Sequence, residues 1–327
     1  MTALADVSAR ARSLEARGFD GAMTAEVSND PFLPLTLAAE HTSRIDLITG
    51  ITVAFARSPM TLAQIGHDLN AYSHGRLVLG LGSQVRAHIT RRFSMPWSRP
   101  AARMREFVLA MRAIWSAWYD GAPLDFQGEF YTHTLMTPMF TPSDRSQGRP
   151  RVMIAGVNPR MTEVAAEVAD GFVAHGFTTA QYLREVTVPA IERGLAKAGK
   201  SRDAFEILCP VFVVTGDTEE VMAGTRQMVC SQIAFYGSTP AYRPVLDFHG
   251  WGDLQSELHR MSREGRWAEM GGLIDDDVLH RFAVVAEPGD VARALRERCG
   301  GLVDRLLWTA AITDAAVEAE QIARLRA

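Results

Sequence analysis

The chain has 327 residues, of which 47% are hydrophobic, and its formal net charge at pH 7 is −4. This composition is enough for a full hydrophobic core, and the weak negative charge without a basic block argues against nucleic acid or an anionic membrane surface as a partner. The cysteines, scattered at Cys209, Cys230 and Cys299, indicate neither a disulfide framework nor a zinc site. Because the sequence has no signal peptide or long apolar run, we expect a cytoplasmic protein.

Helices and strands alternate in the first part of the chain. The predicted elements are a helix over Leu4–Leu14 that ends at Gly18, a strand Phe19–Ala25, a helix Leu33–Thr42, a strand Ile45–Phe55, a helix Pro59–Tyr72, a strand Arg76–Gly82, a helix Arg103–Trp118 and a hairpin Leu124–His133. The helix Arg103–Trp118 is the clearest, because large apolar side chains share one of its faces. Those side chains are Met104, Phe107, Val108, Met111, Ile114, Trp115 and Trp118.

The second part of the chain continues this alternation. The predicted elements are a strand Val152–Ala155, a helix from Asn158-Pro159, a strand Gly171–Ala174, a helix Thr179–Ala198, a strand Phe205–Val214, a helix from Thr218, a strand Phe282–Val285, a helix Pro288–Arg298, a strand Leu302–Thr309 and a helix Asp314–Leu325. Residues 236–281 have no clean period, and we interpret them as an inserted, partly helical excursion before the last strand. The pattern favours a parallel sheet, and the number of units favours an α/β fold that closes into a (β/α)8 TIM barrel, with one domain over residues 1–327.

A candidate anion site lies at the turn after the strand Val152–Ala155. Gly156 lets a ligand approach the backbone closely, Asn158 is a good helix cap, and Pro159 suits the first helical position. The free N–H groups and the dipole of this helix, with Arg160 beside them, favour a phosphate group. The alternative interpretation is an ordinary strand-to-helix turn that contains a glycine.

Other candidates follow predicted strands, where the chemistry of barrel enzymes is found. Glu26 can accept a cofactor N–H or act as a base, or it can be a solvated or helix-capping carboxylate. The segment Leu77–Gln84 lacks the third glycine of a dinucleotide fingerprint, but its two glycines can let a flat ring lie on the backbone or can serve helix packing. His175 and Phe177 can line a pocket mouth, although a lone histidine is more often structural.

Missing motifs exclude several other classes of enzyme. The sequence has no HxH or HExxH motif, so a metal-dependent barrel hydrolase lacks its ligands. Asp275–Asp277 precede the predicted helix Val278–Phe282, as helix-capping residues do, and we predict no metal site there. The absence of GxSxG and GKS/T motifs also excludes serine hydrolases and P-loop enzymes.

Five segments resemble the luciferase-like monooxygenase superfamily, in particular its branch that uses the deazaflavin coenzyme F420. The segments are GFDGAMTAE, DPFLPLTLAAEHTSRIDLITGITVAFARSPMTLAQ, SHGRLVLGLGSQ, the run RMREFVLAMRAIW with LDFQGEFY, and VMIAGVNPRMTEVAAEVADGF. They cover the first half of the chain densely and the rest thinly. The order and spacing of these segments carry the resemblance, and no single motif does.

The resemblance implies a TIM barrel whose cofactor ring lies over the strand ends and whose cofactor phosphate lies at a helix start. The residues that match the phosphate cradle are Gly156, Val157 and Asn158, with Arg160 beside them. The residues that match the ring region are Glu26, Gly50, Ile51, Gly82, Ser83 and Gln84, and the cofactor-binding set is completed by His175 and Phe177. Several members have a non-proline cis bond in the third strand, as a bulge behind the ring, and the matching bond is Gly50–Ile51.

Three departures limit what the resemblance implies. The family has a strand before its first helix and this chain starts almost at that helix, so we expect a missing N-terminal stretch or a different natural start from Met1. The sugar-phosphate dehydrogenases of the branch have His and Trp where Val27 and Pro31 stand, and their acid at the fourth strand matches Gln84 or Val85. We therefore do not expect their substrate or their acid–base pair here.

The resemblance leads us to expect an oxidoreductase that moves a hydride between coenzyme F420 and a small organic substrate. Glu26 and Gln84 are the candidate catalytic residues, through contact with the ring, and Phe55 and Trp97 are candidate walls of the substrate pocket. The alternatives are an FMN-dependent monooxygenase and, in a different class, a non-catalytic partner subunit with a luciferase-like barrel. Members of the family often form homodimers through barrel helices.

Overall fold

The structure, a computed structural model, describes residues 3–326, and these form two compact units. The first unit contains residues 3–156, Arg160–Val173 and Arg193–Phe205, and the second contains Val157–Pro159, Ala174–Glu192 and residues 206–326. Among the described residues, no helix has both the length and the hydropathy needed to cross a bilayer.

Helices and strands alternate along most of the chain, as the sequence predicts. The strands are β1 (Gly21–Thr24), β2 (Asp46–Thr49), β3 (Thr52–Val53), β4 (Leu77–Gly82), β5 (Phe126–Gln127), β6 (Thr132–His133), β7 (Arg151–Gly156), β8 (Gly171–Ala174), β9 (Glu206–Pro210), β10 (Phe212–Val214), β11 (Ala283–Val285) and β12 (Arg305–Leu307). The α-helices are α1 (Leu4–Ala16), α2 (Phe32–His41), α3 (Pro59–Tyr72), α4 (Pro100–Asp120), α5 (Pro159–Val168), α6 (Ala180–Tyr182), α7 (Val188–Ala198), α8 (Glu219–Gly237), α9 (Arg243–Phe248), α10 (Gly252–Arg263), α11 (Trp267–Met270), α12 (Asp276–Phe282), α13 (Val291–Cys299) and α14 (Ala315–Arg326). A π-helical segment, Leu183–Thr187, joins α6 to α7.

The first unit is built on a parallel sheet, which confirms the α/β expectation. Strands β1, β2, β4 and β7 lie side by side in that order, each parallel to its neighbour. Because all four run in the same direction, their carboxyl ends meet at one edge of the sheet. This edge carries most of the residues that the sequence marks as candidates.

Helix α4 buries the apolar face that the periodicity of its sequence predicts. All seven apolar side chains predicted for one face have zero exposed surface. The helix begins at Pro100, whose missing N–H costs nothing in the first turn, and it is followed by Gly121 in the left-handed conformation with φ 71°. The buried face therefore forms the core, as the 3.6-residue period indicates.

The predicted strand Ile45–Phe55 is interrupted in the structure by a bulge. Ile48 pairs with Val78, but Thr52 pairs with Leu81, so β2 and β3 together contain one residue more than the matching stretch of β4. An extra residue in one strand is the definition of a β-bulge, which bends the strand and redirects its side chains. The cis bond predicted at Gly50–Ile51 lies at this bulge and is confirmed.

The predicted strand Phe205–Val214 is also divided, because its two halves pair with different strands. In the second unit β9 pairs with β12, and β10 pairs with β11, both in parallel. The register of the first pair ends at Pro210, which has no N–H to continue a ladder. A single periodic stretch in the sequence therefore serves two ladders.

The excursion after Tyr236 is more helical than the sequence indicates. It contains helices α9 to α12, which pack with the end of α8 around a hydrophobic core of their own unit. Four short helices give no sustained period, which explains why the sequence pattern is weak. Asp275 caps α12 by accepting a hydrogen bond from the Val278 N–H at 2.9 Å, so the capping interpretation of Asp275–Asp277 is confirmed. The single-domain organisation stays a prediction.

Candidate functional site

Glu26 lies just beyond β1, and its carboxylate supports the bulge of the neighbouring strand. Its Oε2 atom accepts hydrogen bonds from the Thr52 hydroxyl at 3.1 Å, the Val53 N–H at 2.7 Å and Arg57 Nη1 at 2.7 Å. Its own N–H donates to the carbonyl oxygen of Ile51 at 3.0 Å. Its Oε1 atom accepts no hydrogen bond from any residue between 3 and 326, so one oxygen of a buried carboxylate keeps its capacity for a further donor.

Arg57 is a partner of Glu26 that sequence reasoning missed. Its second nitrogen, Nη2, reaches Asp30 Oδ2 at 3.0 Å, so one guanidinium bridges two carboxylates. Asp30 Oδ1 accepts a hydrogen bond from the Phe32 N–H at 2.8 Å at the start of α2. Because Glu26 is buried and its carboxylate binds the bulge and Arg57, the interpretation of Glu26 as a solvated or helix-capping carboxylate is wrong. No periodicity marks Arg57, because its role depends on a fold-back between strand ends that are remote in the sequence.

The end of β4 lies against the bulge. Val53 pairs with Gly82, and a Cβ atom on Gly82 would lie 2.6 Å from Ile51 Cδ1. The glycine therefore allows close packing, and its neighbour is the bulge and not a helix. The same contact brings Gly50, Ile51 and Gly82 together at the edge of the sheet, as the resemblance implies.

Gln84 has an unusual backbone conformation just after β4. Its φ is 57°, a left-handed value that non-glycine residues rarely adopt. Its side-chain oxygen accepts a hydrogen bond from the Val85 N–H at 3.0 Å, and its carbonyl oxygen accepts one from the Ser83 hydroxyl at 3.1 Å. The side-chain amide nitrogen donates to no residue that the structure describes, so it remains a possible donor at the site.

The predicted phosphate cradle lies at the end of β7 and the start of α5. Leu81 pairs with Ile154, so Gly156 ends its strand beside the end of β4. A Cβ atom on Gly156 would lie 2.9 Å from Met161 Cγ, so the glycine lets the strand pack closely against its own helix. Val157 is half-buried and Asn158 is exposed.

Arg160 differs from most arginines of the first unit. It is exposed on the first turn of α5 and forms no hydrogen bond or ion pair with the residues that the structure describes. Because the first N–H groups of a helix also lack intrahelical acceptors, this corner offers donors and positive charge to an anion. The donor set fits a phosphate group.

His175 and Phe177 follow β8 and belong to the second unit. The His175 Nδ1 atom accepts the Phe177 N–H at 3.0 Å, and its ring contacts the rings of Tyr236 and Tyr242, each at a centroid distance of 4.6 Å. Burial lowers the pKa of His175 to about 4, so the imidazole is neutral at pH 7 with its proton on Nε2. Phe177 has zero exposed surface and stacks on Phe282 at 4.6 Å, so it is a core residue and not the wall of an open pocket.

The two residues predicted to line the substrate pocket also differ in burial. Phe55 has zero exposed surface and lies between Trp97, at a ring distance of 5.9 Å, and the Arg103 guanidinium, at 4.5 Å from its ring centroid. Trp97 is only half-buried. Phe55 therefore supports the tryptophan, and only Trp97 retains surface that a substrate can contact. Sequence patterning does not distinguish the two positions.

A sequence profile of the luciferase-like monooxygenase family matches residues 1–305. The chain belongs to this family. An uncharacterized protein of Mycobacterium tuberculosis is 59% identical to it over 304 residues, which are 93% of this chain and 89% of that protein. The 5,10-methylenetetrahydromethanopterin reductase of Archaeoglobus fulgidus is 29% identical over 269 residues, which are 80% of this chain and 76% of that enzyme.

Solved structures of the luciferase-like class share the fold of this chain. The coenzyme F420 dependent tetrahydromethanopterin reductase from Methanopyrus kandleri has a TM-score of 0.78 at 22% identity, covering 99% of this chain and 94% of that chain. A riboflavin lyase solved with modified FMN and riboflavin has a TM-score of 0.70 at 18% identity, covering 99% and 83%. The fold neighbours of this luciferase-like protein therefore include both deazaflavin and flavin proteins.

Proposed function

We propose that this protein is an oxidoreductase that transfers a hydride between coenzyme F420 and a small organic substrate. The observation that carries the proposal is the relation to methylenetetrahydromethanopterin reductase, which extends over 80% of this chain and is supported by a fold neighbour that depends on F420. The family relation also supports the proposal that the parallel strands belong to a (β/α)8 barrel.

The candidate site offers the contacts that such a cofactor needs. When bound, coenzyme F420 supplies hydride chemistry, and the protein supplies binding, orientation and exclusion of water. Glu26 fixes the bulge through Oε2 and presents Oε1 to a ring N–H. Gln84, held in a left-handed conformation, presents its amide nitrogen as a donor. Gly50, Ile51, Gly82 and Ser83 form the surface behind the ring.

The remaining proposed contacts lie at the anionic tail and the substrate. Val157, Asn158 and Arg160 contact the cofactor phosphate at the start of α5, while Gly156 sets the packing that allows this approach. The neutral His175 can donate a hydrogen bond from Nε2. Trp97 is the proposed contact for the substrate, because it is the half-buried member of its aromatic pair.

Arg160→Ala tests the anion contact. We expect it to weaken F420 binding by roughly 0.5–2 kcal/mol, because it removes one charged donor beside a helix terminus. The measurement is a fluorescence titration of purified protein with F420. Arg12→Ala is the matched control, since Arg12 is also exposed and forms no ion pair with the described residues, but lies on α1. An unchanged affinity for F420 in the Arg160 variant, or an equal loss of affinity in the Arg12 control, contradicts the proposal that Arg160 contacts the cofactor phosphate.

Flavin mononucleotide is the second candidate cofactor, and both the family profile and the riboflavin lyase neighbour favour it. The same titration with FMN separates the two proposals, since tight binding of FMN and none of F420 excludes deazaflavin chemistry. Oxygen consumption with a supplied reductase then tests the monooxygenase. Failure to bind either cofactor, together with a stable complex with a related chain, supports the non-catalytic partner subunit instead.

A further inference from the structure

A separate cavity lies within the second unit and has no part in the proposed cofactor site. Its volume is about 390 Å³, a size that suits a small molecule. Its walls come from α6 and the π-helical segment that follows it, from the end of α12, and from β11 and α13. All of these elements belong to one compact unit, although they are widely separated in the sequence.

The cavity is strongly basic although the chain is acidic. Its lining includes Arg184, Arg281 and Arg298 and a single carboxylate, Glu297. These residues give the lining a formal charge of +2 with histidine neutral, whereas the whole chain carries −4. The one carboxylate already has a partner, because Glu297 Oε1 accepts a hydrogen bond from Arg293 at 3.1 Å.

Two of these guanidinium groups have no partner in the protein. Arg184 and Arg281 are exposed, and neither side chain forms a hydrogen bond or ion pair with the described residues. Six other arginines of this unit pair with carboxylates: Arg226, Arg243, Arg260, Arg266, Arg293 and Arg324. Arg263 and Arg296 are exposed without an ion pair to the described residues, but neither lines the cavity. Arg184 and Arg281 are therefore two unpaired guanidinium groups that line the same concave surface.

The third guanidinium group is fixed by the fold. Arg298 donates hydrogen bonds to the carbonyl oxygens of His280, at 3.3 Å, and Arg281, which ties α13 to the last turn of α12. Burial lowers the pKa of Arg298, so its charge is held in a partly desolvated wall. Val284 and Val285 add an apolar surface to the same cavity. The cavity therefore combines a rigid wall with two free cationic groups.

We propose that this cavity binds a small polyanion that carries at least two negative charges on phosphate or carboxylate groups. A planar guanidinium matches the oxygen pair of either group and can bind it through two parallel hydrogen bonds. The cavity volume suits a ligand of the size of a metabolite.

The test is isothermal titration calorimetry of the full chain with inorganic pyrophosphate and with citrate at low ionic strength. The two probes distinguish a phosphate ligand from a polycarboxylate. Arg184→Gln and Arg281→Gln should each weaken binding roughly three- to tenfold, and the double variant by more than tenfold. Arg298 stays unchanged, because its backbone contacts give it a structural role. Binding should also weaken as ionic strength rises.

Two controls separate this cavity from other sources of anion affinity. Arg263→Gln removes the same charge from an exposed arginine of the same unit that lines no part of the cavity and forms no ion pair with the described residues. Arg160→Ala removes charge from the proposed phosphate cradle of the cofactor. Arg263→Gln should leave the affinity for pyrophosphate and citrate within twofold of the unmodified protein, and the losses caused by Arg184→Gln and Arg281→Gln should persist in the Arg160→Ala background.

The proposal is overturned if neither probe binds at low ionic strength. It is also overturned if the Arg184/Arg281 double variant binds as well as the unmodified protein, or if Arg263→Gln causes an equal loss. Loss of binding only in Arg160→Ala would assign the probe to the cofactor site. Because none of these outcomes depends on F420 binding or on activity, the result is independent of the proposed function.

Discussion

Glu26→Gln should destabilise the first unit, because it removes a buried charge that three donors share. The acceptor Oε2 lies 2.7–3.1 Å from these donors, and the exposed fractions of the Glu26 and Arg57 side chains are only 7% and 16%. A hydrogen bond to a charged acceptor contributes about 1 kcal/mol more than one to a neutral acceptor. Since glutamine keeps the shape and one acceptor oxygen, the three hydrogen bonds weaken without leaving a cavity, and we expect the free energy of unfolding to fall by about 2–4 kcal/mol.

Asp30→Asn is the matched control for this prediction. Asp30 binds the same guanidinium at 3.0 Å, but its side chain is 39% exposed, and asparagine is as good a helix cap as aspartate. An exposed ion pair contributes about 0–1 kcal/mol, so the control should lose little stability. Urea unfolding followed by tryptophan fluorescence and circular dichroism measures both variants. Equal losses in the two variants, or a loss below about 1 kcal/mol in Glu26→Gln, would refute the assignment of Glu26 as a buried anchor.

Three further predictions concern the pH dependence of stability at His175 and the replacement of two glycines. The pKa of His175 is about 4 in the folded protein against 6.5 in the unfolded chain. The unfolded state therefore binds more protons between these two pH values. As a result, the free energy of unfolding falls as the pH drops through this window, by at most about 3 kcal/mol. His175→Asn keeps an acceptor for the Phe177 N–H but does not titrate. Thermal unfolding at pH 7 and pH 4 should therefore show a smaller acid-induced loss of stability in this variant than in the unmodified protein. An identical loss of stability in both proteins would contradict the assignment of the pH effect to His175. Gly224→Ala should raise the free energy of unfolding by about 0.5–1 kcal/mol, because the residue lies exposed within α8 and an added Cβ meets no atom within 4 Å. Gly80→Ala should instead abolish stable folding or cost several kcal/mol, because its Cβ would lie 1.9 Å from the carbonyl oxygen of Thr49; tolerance of alanine there would show that β2 and β4 are not this close.

Much of the fold could be predicted from the sequence, because it depends on local periodicity. Helix α3 has the predicted bounds Pro59–Tyr72, and strand β8 has the predicted bounds Gly171–Ala174. The interruptions of the predicted strands 45–55 and 205–214 could not be predicted from local pattern. Each depends on which strand the chain pairs with, and pairing partners are remote in the sequence.

In the candidate site, too, some features could be predicted from the sequence and others could not. The sequence placed Gly50, Ile51 and Gly82 in one region, and the structure brings them into contact. It did not distinguish Phe55 from Trp97, because burial of a large aromatic residue depends on the neighbours that surround it.

The sequence by itself determined the alternating elements, the apolar faces that form the core and the glycines at strand ends, since each of these follows from the chemistry of a few consecutive residues. Only the tertiary structure decided that Arg57 joins Glu26 to Asp30 and that Arg184 and Arg281 line one cavity without partners. The physical reason is that charge pairing and cavity lining depend on distances between side chains from separate elements, and these distances exist only after the sheet and helices have packed.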